Sequence, residues 1–137
     1  MSFFLGIDLG ASALKLSLID AHAQYVGGCG IGLATDTPET GQAEQNPGDW
    51  RAALQSGLAQ LHADFPTEVQ ALRAIVFTGG AHIAVLCDSA ATPLRPAIMW
   101  SDQRSSAQAN QLRENPEIVQ IGGNLPNPTW TLPQLCW

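Results

Sequence analysis

The residues best suited to chemistry lie near the start of the chain: one carboxylate followed by a turn of small residues. Asp8 stands near the end of an apolar run from Phe3 to Leu9, and Gly10-Ala11-Ser12 comes directly after it. Backbone N–H groups at such a turn are little screened by side chains, so they suit a phosphate oxygen. A buried carboxylate is costly unless it is paired or holds a cation. The pattern therefore indicates a magnesium and phosphate site, although an Asp beside a glycine turn is also typical of a simple turn cap.

Two strands must position this turn. The run from Phe3 to Leu9 is typical of a buried strand. From Leu14 to Leu18 leucines alternate with polar residues, which is the period of a second strand. A third strand is predicted from Tyr25 to Leu33, where four glycines indicate bulges or close backbone packing. Together these segments predict an antiparallel three-strand meander with the turn at one tip.

The middle of the chain predicts a helix and a returning parallel strand. Asn46-Pro47-Gly48-Asp49-Trp50 is a helix start, and apolar residues at spacings of three and four continue to Phe65. The segment Ala74 to Phe77 then indicates a buried strand, parallel to an earlier one through a right-handed crossover. Ligands bind at the carboxyl ends of such strands, here the loop Thr78 to His82. A further strand is predicted from Ile83 to Cys87.

The last third of the chain predicts short helices. Ser101 is a candidate N-cap for a surface helix that runs to about Glu114. Asn115-Pro116 starts another helix, which Gly122-Gly123 stops. A final helix is predicted to begin at Thr131.

Composition excludes several classes of protein. The chain has 137 residues and a net charge of −6, so it is long enough for one core and has no electrostatic support for binding nucleic acid or anionic membranes. No apolar run is long enough to span a bilayer, and no signal peptide is evident. The chain has three cysteines, far apart and in apolar or glycine settings, which indicates buried free thiols and a cytoplasmic location. Because the chain stops in an apolar run, we expect it to be a fragment of a longer protein.

Four segments carry a resemblance to a known family. The spacing Gly-x-Asp-x-Gly-x-Ser-x-x-Lys, from Gly6 to Lys15, resembles the first phosphate motif of the sugar kinase, Hsp70 and actin superfamily. The segments Gly79 to Ile83, Pro93 to Ser105 and Thr131 to Trp137 follow in the order found in FGGY carbohydrate kinases. The whole chain resembles the amino-terminal domain of that family, nearest to the xylulokinases.

The resemblance implies a fold and a reaction. The fold would be a ribonuclease H-like α/β domain, in which the antiparallel three-strand meander is joined by parallel strands and flanking helices. It would be the incomplete half of a two-lobed kinase, here residues 1–137. The reaction would transfer the γ-phosphoryl group of Mg-ATP to a sugar hydroxyl, mostly by positioning and charge neutralisation. The cofactors implied are ATP and Mg²⁺.

The resemblance also assigns residues on the ATP side. Asp8 would bind Mg²⁺, directly or through water. Gly10, Ala11 and Ser12 would offer backbone donors to the phosphates, and Lys15 would assist, the alternative being that this lysine merely faces solvent. Ala11 stands where the family usually has Thr, so one hydroxyl near the phosphates is absent.

On the sugar side, the resemblance implies that His82 contacts the sugar, with Ala81 beside it in the same loop. Asp102 and Arg104 would shape the sugar pocket, and a local ion pair between them is the simpler alternative. Gly80, Ala81 and Ile83 replace the Gln, Met and Gly of the xylulokinase loop. A pentulose such as xylulose is favoured, although these changes remove one polar and one bulky contact.

Two expectations concern what the chain does as a whole. The family's general base and its adenosine-binding glycines are expected beyond Trp137, so residues 1–137 alone would contain no catalytic base and would be inactive. The expected partner is a small-molecule sugar, and homodimer formation by the full-length enzyme stays open. The alternative function is a non-catalytic actin-like or sugar-sensing module of the same fold.

Overall fold

The computed structural model describes residues 1–137, and the chain divides into two compact units. The first unit comprises Met1–Ala34 and Gly48–Gly80, and the second comprises Thr35–Pro47 and Ala81–Trp137. Buried side chains occur in both units. In chain order the elements are β1 (Phe3–Leu9), β2 (Ala13–Asp20), β3 (Tyr25–Gly32), β4 (Glu44–Gln45), α1 (Pro47–Asp64), α2 (Pro66–Gln70), β5 (Leu72–Gly79), β6 (Ala97–Ile98), α3 (Ser106–Arg113), α4 (Pro116–Gly122) and α5 (Thr131–Cys136).

The first unit contains a four-stranded mixed sheet in the order β3-β2-β1-β5. Strands β1, β2 and β3 are antiparallel neighbours, and β5 lies parallel to β1. The predicted meander and the predicted parallel return through α1 are therefore both confirmed. The core beneath the sheet holds six buried side chains, and all of them come from β1, β2 and α1: Leu5, Ile7, Leu14, Leu16, Ala53 and Leu61.

Helix α1 covers one face of this sheet through residues that recur every four positions. Ala53, Gly57 and Leu61 are its buried residues. A Cβ on Gly57 would lie 2.8 Å from Cδ1 of Leu16, so the glycine allows the helix to approach β2 closely. The Sγ atom of Cys29 also lies 3.4 Å from the Gly57 carbonyl oxygen, which places this thiol under the helix. Burial raises the pKa of the Cys29 thiol, and the nearby Asp64 carboxylate adds to that effect. The other two cysteines, Cys87 and Cys136, are exposed, so the expectation of buried thiols is wrong for both.

The prediction that β5 is buried is wrong. Its side chains are mostly exposed, and Val76 and Phe77 keep 67% and 65% of their surface. The strand stands at the edge of the sheet with β1 as its one neighbour. An apolar run identifies a strand but carries no information on whether another element covers it.

The second unit is built on a short antiparallel pair, β4 with β6, in which Glu44 lies opposite Ile98. The pairing continues past β6, because the Met99 N–H donates to the Ala43 carbonyl at 2.9 Å. The Gln103 N–H likewise donates to the Gly41 carbonyl at 2.8 Å. Residues 41–45 and 97–103 thus run beside each other.

Two further expectations for the second unit are corrected. No strand forms at Ile83–Cys87, where the one β contact is an isolated bridge between Cys87 and Pro93. The helix predicted from Ser101 begins instead at Ser106, because the Asp102 carboxylate accepts the Arg104 N–H at 2.8 Å. Such a local side-chain hydrogen bond competes with helix formation.

The helix predicted after residue 115 is confirmed as α4. The Asn115 side chain accepts the N–H of Glu117, which is an N-cap, and Gly123 ends the helix with a φ of 65°. None of the helices has the length and apolar character that crossing a bilayer requires.

Candidate functional site

The tip of the β1–β2 hairpin presents Asp8 on the open face of the sheet. Phe3, Leu5 and Ile7 are buried, and strand side chains alternate between faces, so Asp8 must point away from α1. It is exposed, and its cross-strand neighbour is Lys15, which is exposed as well. No ion pair joins the two groups. A carboxylate and an ammonium group therefore stand side by side with their charges accessible.

The turn between the strands is short, and its residues have small side chains or none. The Gly10 N–H donates to the Ala13 carbonyl at 3.0 Å, so this N–H is used within the turn and is not available to a phosphate. A Cβ on Gly10 would approach the same carbonyl to 3.0 Å, which is why a glycine fits there. Ala11 and Ser12 are exposed at the tip. The Ser12 carbonyl accepts the Leu33 N–H at 2.9 Å, which fastens the turn to the end of β3.

Sequence reasoning missed Thr78 as a neighbour of Asp8. The register of the parallel pair places Asp8 opposite Thr78, and the Gly80 N–H donates to the Leu9 carbonyl at 3.2 Å. The hydroxyl of Thr78 lies on the same face as the Asp8 carboxylate because paired residues of adjacent strands share a face. A row of Lys15, Asp8 and Thr78 thus crosses three strands at the edge where a ligand is expected. The predicted parallel pairing was the signal that could have found Thr78.

In the second unit, His82 is held in an unusual conformation against an aromatic ring. Its φ is 61°, in the left-handed region that non-glycine residues seldom adopt. The imidazole stacks on the Trp130 indole with ring centroids 5.4 Å apart and an interplanar angle of 14°. His82 and Ala81 are both exposed. The stack was not predicted, since 48 positions along the chain separate the two residues.

Asp102 and Arg104 form a buried ion cluster with Glu44. The Arg104 Nε lies 2.9 Å from both Asp102 oxygens, and its Nη1 lies 2.6 Å from Glu44 Oε1. Arg95 reaches the same Glu44 oxygen at 3.0 Å. The Asp102 carboxylate also accepts the Ala43 N–H at 2.6 Å. The cluster thus fastens residues 43–44 to residues 95–104.

The environment of this cluster sets its ionisation. Burial alone would raise the pKa of Asp102, but hydrogen bonds and charge from Arg104, together with the Ala43 N–H, bring it below its ordinary value. Burial would lower the pKa of Arg104, and its bonds to Asp102 and Glu44 outweigh that effect and raise the pKa. The Trp137 ring lies 5.0 Å from the guanidinium carbons of both Arg95 and Arg104, a cation–π arrangement. Asp102 and Arg104 are therefore both charged near neutral pH.

The predicted site residues fall into two sets. Asp8, the turn at 10–12 and Lys15 stand together at one hairpin tip of the first unit. Ala81, His82, Asp102 and Arg104 belong to the second unit. Within that unit Asp102 and Arg104 form the local ion pair that was the simpler alternative to a sugar-pocket role, and His82 stacks on Trp130.

Nearly the whole chain matches a known family. The model of the FGGY family of carbohydrate kinases, N-terminal domain, matches residues 3–137. The chain belongs to the FGGY family. Its relatives include a xylulose kinase of Lactococcus lactis, 35% identical over 139 residues, which covers 100% of this chain and 28% of the relative. A xylulose kinase of Escherichia coli is 32% identical and covers 98% of this chain and 28% of the relative.

Solved structures of other kinases show the same fold. A protein from Brucella ovis, named xyloylose kinase, superposes with a TM-score of 0.96 at 37% identity, covering 98% of this chain and 28% of that one. The glycerol kinase of Plasmodium falciparum, solved with ADP, gives a TM-score of 0.84 at 17% identity, covering 100% and 28%, and shows the fold alone. The α/β fold expected from the resemblance is confirmed. Sugar kinases of this family use ATP, generally with Mg²⁺. The FGGY chain described here spans 28% of the length of these relatives.

Proposed function

We propose that this chain is the N-terminal part of a kinase that transfers the γ-phosphoryl group of Mg-ATP to a hydroxyl of a sugar, with a pentulose such as xylulose favoured. The observation that carries the proposal is the exposed Asp8 carboxylate beside a bare turn, in a chain of a carbohydrate kinase family. The xylulose kinases among the relatives support the choice of sugar.

The residues at the hairpin tip suit a hydrated Mg²⁺ ion. Hard cations such as Mg²⁺ prefer oxygen ligands and keep several waters, so one carboxylate with a neighbouring hydroxyl is an adequate protein contribution. Asp8 supplies the carboxylate, and Thr78 lies opposite it in the sheet register. When bound, the metal would neutralise charge on the phosphates of ATP. Asp8 would hold the metal directly or through its water.

The phosphates would be received by the turn and by Lys15. Ser12 and Ala11 place their backbone at the tip with no bulky side chain in front of it, and Gly10 leaves room for the close turn. Lys15 adds a positive charge one strand away from Asp8. These groups would orient the ATP tail and spread its charge, which is most of what phosphoryl transfer requires from a protein.

The sugar would be bound by the second unit. His82 offers an imidazole with both hydrogen-bond donor and acceptor capacity, on a loop that also carries Ala81. Asp102 and Arg104 would act indirectly, because their charged groups are already paired and buried. They would shape the pocket by holding the segment that contains them. The base that accepts the hydroxyl proton would lie outside residues 1–137.

The test is an Asp8→Asn substitution in the full-length protein that carries this chain. With D-xylulose and Mg-ATP, we expect kcat to fall about 10²–10³-fold, the size seen when one group that stabilises transition-state charge is removed. ADP release in a coupled assay measures it. The matched control is Asp64→Asn, which removes an exposed carboxylate from α1 and should leave kcat within about twofold of the wild type.

Wild-type kcat in the Asp8→Asn variant would refute the role of the hairpin tip. The changes at Ala11, Gly80 and Ile83 favour a second candidate, a sugar-sensing module without turnover. Tight D-xylulose binding with no ADP release by the wild-type protein would support that candidate and overturn the kinase proposal.

A further inference from the structure

The His82 side chain is supported by one aromatic residue. The left-handed backbone of His82 is costly, and such conformations persist only where the surroundings enforce them. The Trp130 indole lies almost parallel to the imidazole at a centroid distance of 5.4 Å, which is the offset-stacked range. The imidazole is otherwise exposed, and none of its ring nitrogens has a protein partner. The stack is therefore what fixes the direction of the ring.

Hydrogen bonds hold the backbone of the turn that carries Trp130. The backbone N–H of Trp130 donates to the Asn127 carbonyl at 2.9 Å, and the Asn127 side chain accepts both the backbone N–H and the hydroxyl of Thr129 at 3.0 Å. At Pro128, the residue before Thr129, the backbone carbonyl accepts the hydroxyl of the buried Ser105 at 2.7 Å. Ser105, which precedes α3, thus anchors the turn that carries the indole. The backbone from which the indole projects toward the imidazole is therefore fixed.

We propose that Trp130 is a positioning residue for sugar recognition, which it supports by holding the His82 imidazole with its nitrogens directed at the sugar. The inference rests on the proposed function, since it takes a sugar as the ligand of His82. It adds a residue that the sequence did not single out. Trp130 itself needs no contact with the sugar.

The size and shape of the indole matter for the stack with His82. Trp130 also lines an apolar cavity of about 340 Å³, together with Pro126, Leu132 and residues of α4. Replacing the indole by a smaller aliphatic side chain would leave the imidazole without its surface and would enlarge that cavity. The ring would then sample several rotamers, and sugar binding would have to select one of them. A phenyl ring would keep a face for stacking.

The experiment measures D-xylulose affinity by isothermal titration of the full-length protein and its variants. Trp130→Leu should weaken binding about two- to tenfold, the range of a single aromatic pair, and Trp130→Phe should stay near the wild type. His82→Gln should weaken binding at least as much. The decisive variant is the double substitution, which should bind no worse than His82→Gln alone, because a residue that acts through His82 has nothing left to position.

Two further measurements separate positioning from general damage. Leu132→Ala disturbs the same cavity without touching the stack and should leave the affinity near the wild type. In protein labelled with ¹³C-histidine, the imidazole resonance absent from His82→Gln identifies His82. It should be shifted upfield by the indole and should lose that shift in Trp130→Leu.

The outcomes distinguish this inference from the proposed function. Unchanged D-xylulose affinity in Trp130→Leu, or additive losses in the double variant, would overturn the inference even if the wild-type protein phosphorylates D-xylulose. Absence of phosphorylation together with affinity that depends on the Trp130–His82 pair would overturn the kinase proposal and support the inference. Failure of the wild-type protein to bind D-xylulose at all would overturn the inference about Trp130.

Discussion

Removing the Asp102 carboxylate is the sharpest test of the buried ion cluster. The side chain keeps only 1% of its surface and accepts hydrogen bonds from the Ala43 N–H, the Arg104 N–H and the Arg104 guanidinium. In Asp102→Ala all of these donors lose their acceptor at once. Arg104 would retain one carboxylate, Glu44, at 2.6 Å, and Glu44 is already shared with Arg95. A buried guanidinium would then be only partly compensated.

The magnitude follows from that geometry. Breaking a buried pair by removing one partner costs about 3–5 kcal/mol, because the remaining charge stays buried. Leaving the buried Ala43 N–H without an acceptor costs about 1–3 kcal/mol. Part of this cost is already included in the cost of breaking the ion pair. The Glu44 contact offsets part of the total. We therefore expect the free energy of unfolding to fall by about 3 kcal/mol.

Urea unfolding of the 137-residue chain, followed by circular dichroism, measures this loss. With a slope of about 1–3 kcal/mol per molar urea, the midpoint should fall by about 1–3 M. Glu114→Ala is the matched control, because it removes an exposed carboxylate from the same unit and should shift the midpoint by less than about 0.5 M. Asp102→Asn, which keeps one acceptor oxygen, should fall between the two. A midpoint for Asp102→Asn equal to the wild type would refute the view that the cluster is stabilising.

Two more predictions concern acidity and activity. The folded-state pKa of Asp102 lies below its ordinary value, so its contribution to the free energy of unfolding is complete above about pH 5 and is lost as the pH falls through the lowered pKa. The urea midpoint of the wild type should therefore fall more steeply below about pH 4 than that of Asp102→Asn. Parallel curves of midpoint against pH for the two proteins would contradict this. The 137-residue chain alone, mixed with Mg-ATP and D-xylulose, should release ADP no faster than a protein-free blank, because the expected base lies beyond Trp137. ADP release above the blank that the Asp8→Asn substitution abolishes would show that the chain has kinase activity by itself.

The first hairpin could be predicted because local pattern and tertiary context agree there. Leucines alternate along β2, and the one polar residue of the β1 run stands where the strand leaves the core. The return of β5 as a parallel neighbour of β1 followed from the helix between them. The exposure of Phe77 did not follow from its sequence, because burial depends on elements that the local pattern does not describe.

The ion cluster and the aromatic stack lay beyond what a sequence pattern can show. Glu44 and Arg104 are 60 positions apart, and neither carries a spacing signal that links it to the other. Periodicity reports on neighbours within one helix or strand, whereas these contacts depend on how loops pack. The late start of α3 has the same origin, since Asp102 is engaged with Arg104 and Ala43 before the helix begins.

The exposure of Asp8 can be traced to the hydrophobic residues before it. Phe3, Leu5 and Ile7 have 8%, 1% and 3% of their surface exposed, so the even positions of β1 must face away from α1. A slip of one residue in the β1–β2 register would bury Asp8 and expose all three apolar side chains, at a cost of roughly 1.5–3 kcal/mol for each of them. The core therefore holds the carboxylate at the accessible edge. The same register places Lys15 and Thr78 on either side of it. The accessible charge at the hairpin tip is thus a consequence of how the core packs, and the turn needs only to remain small.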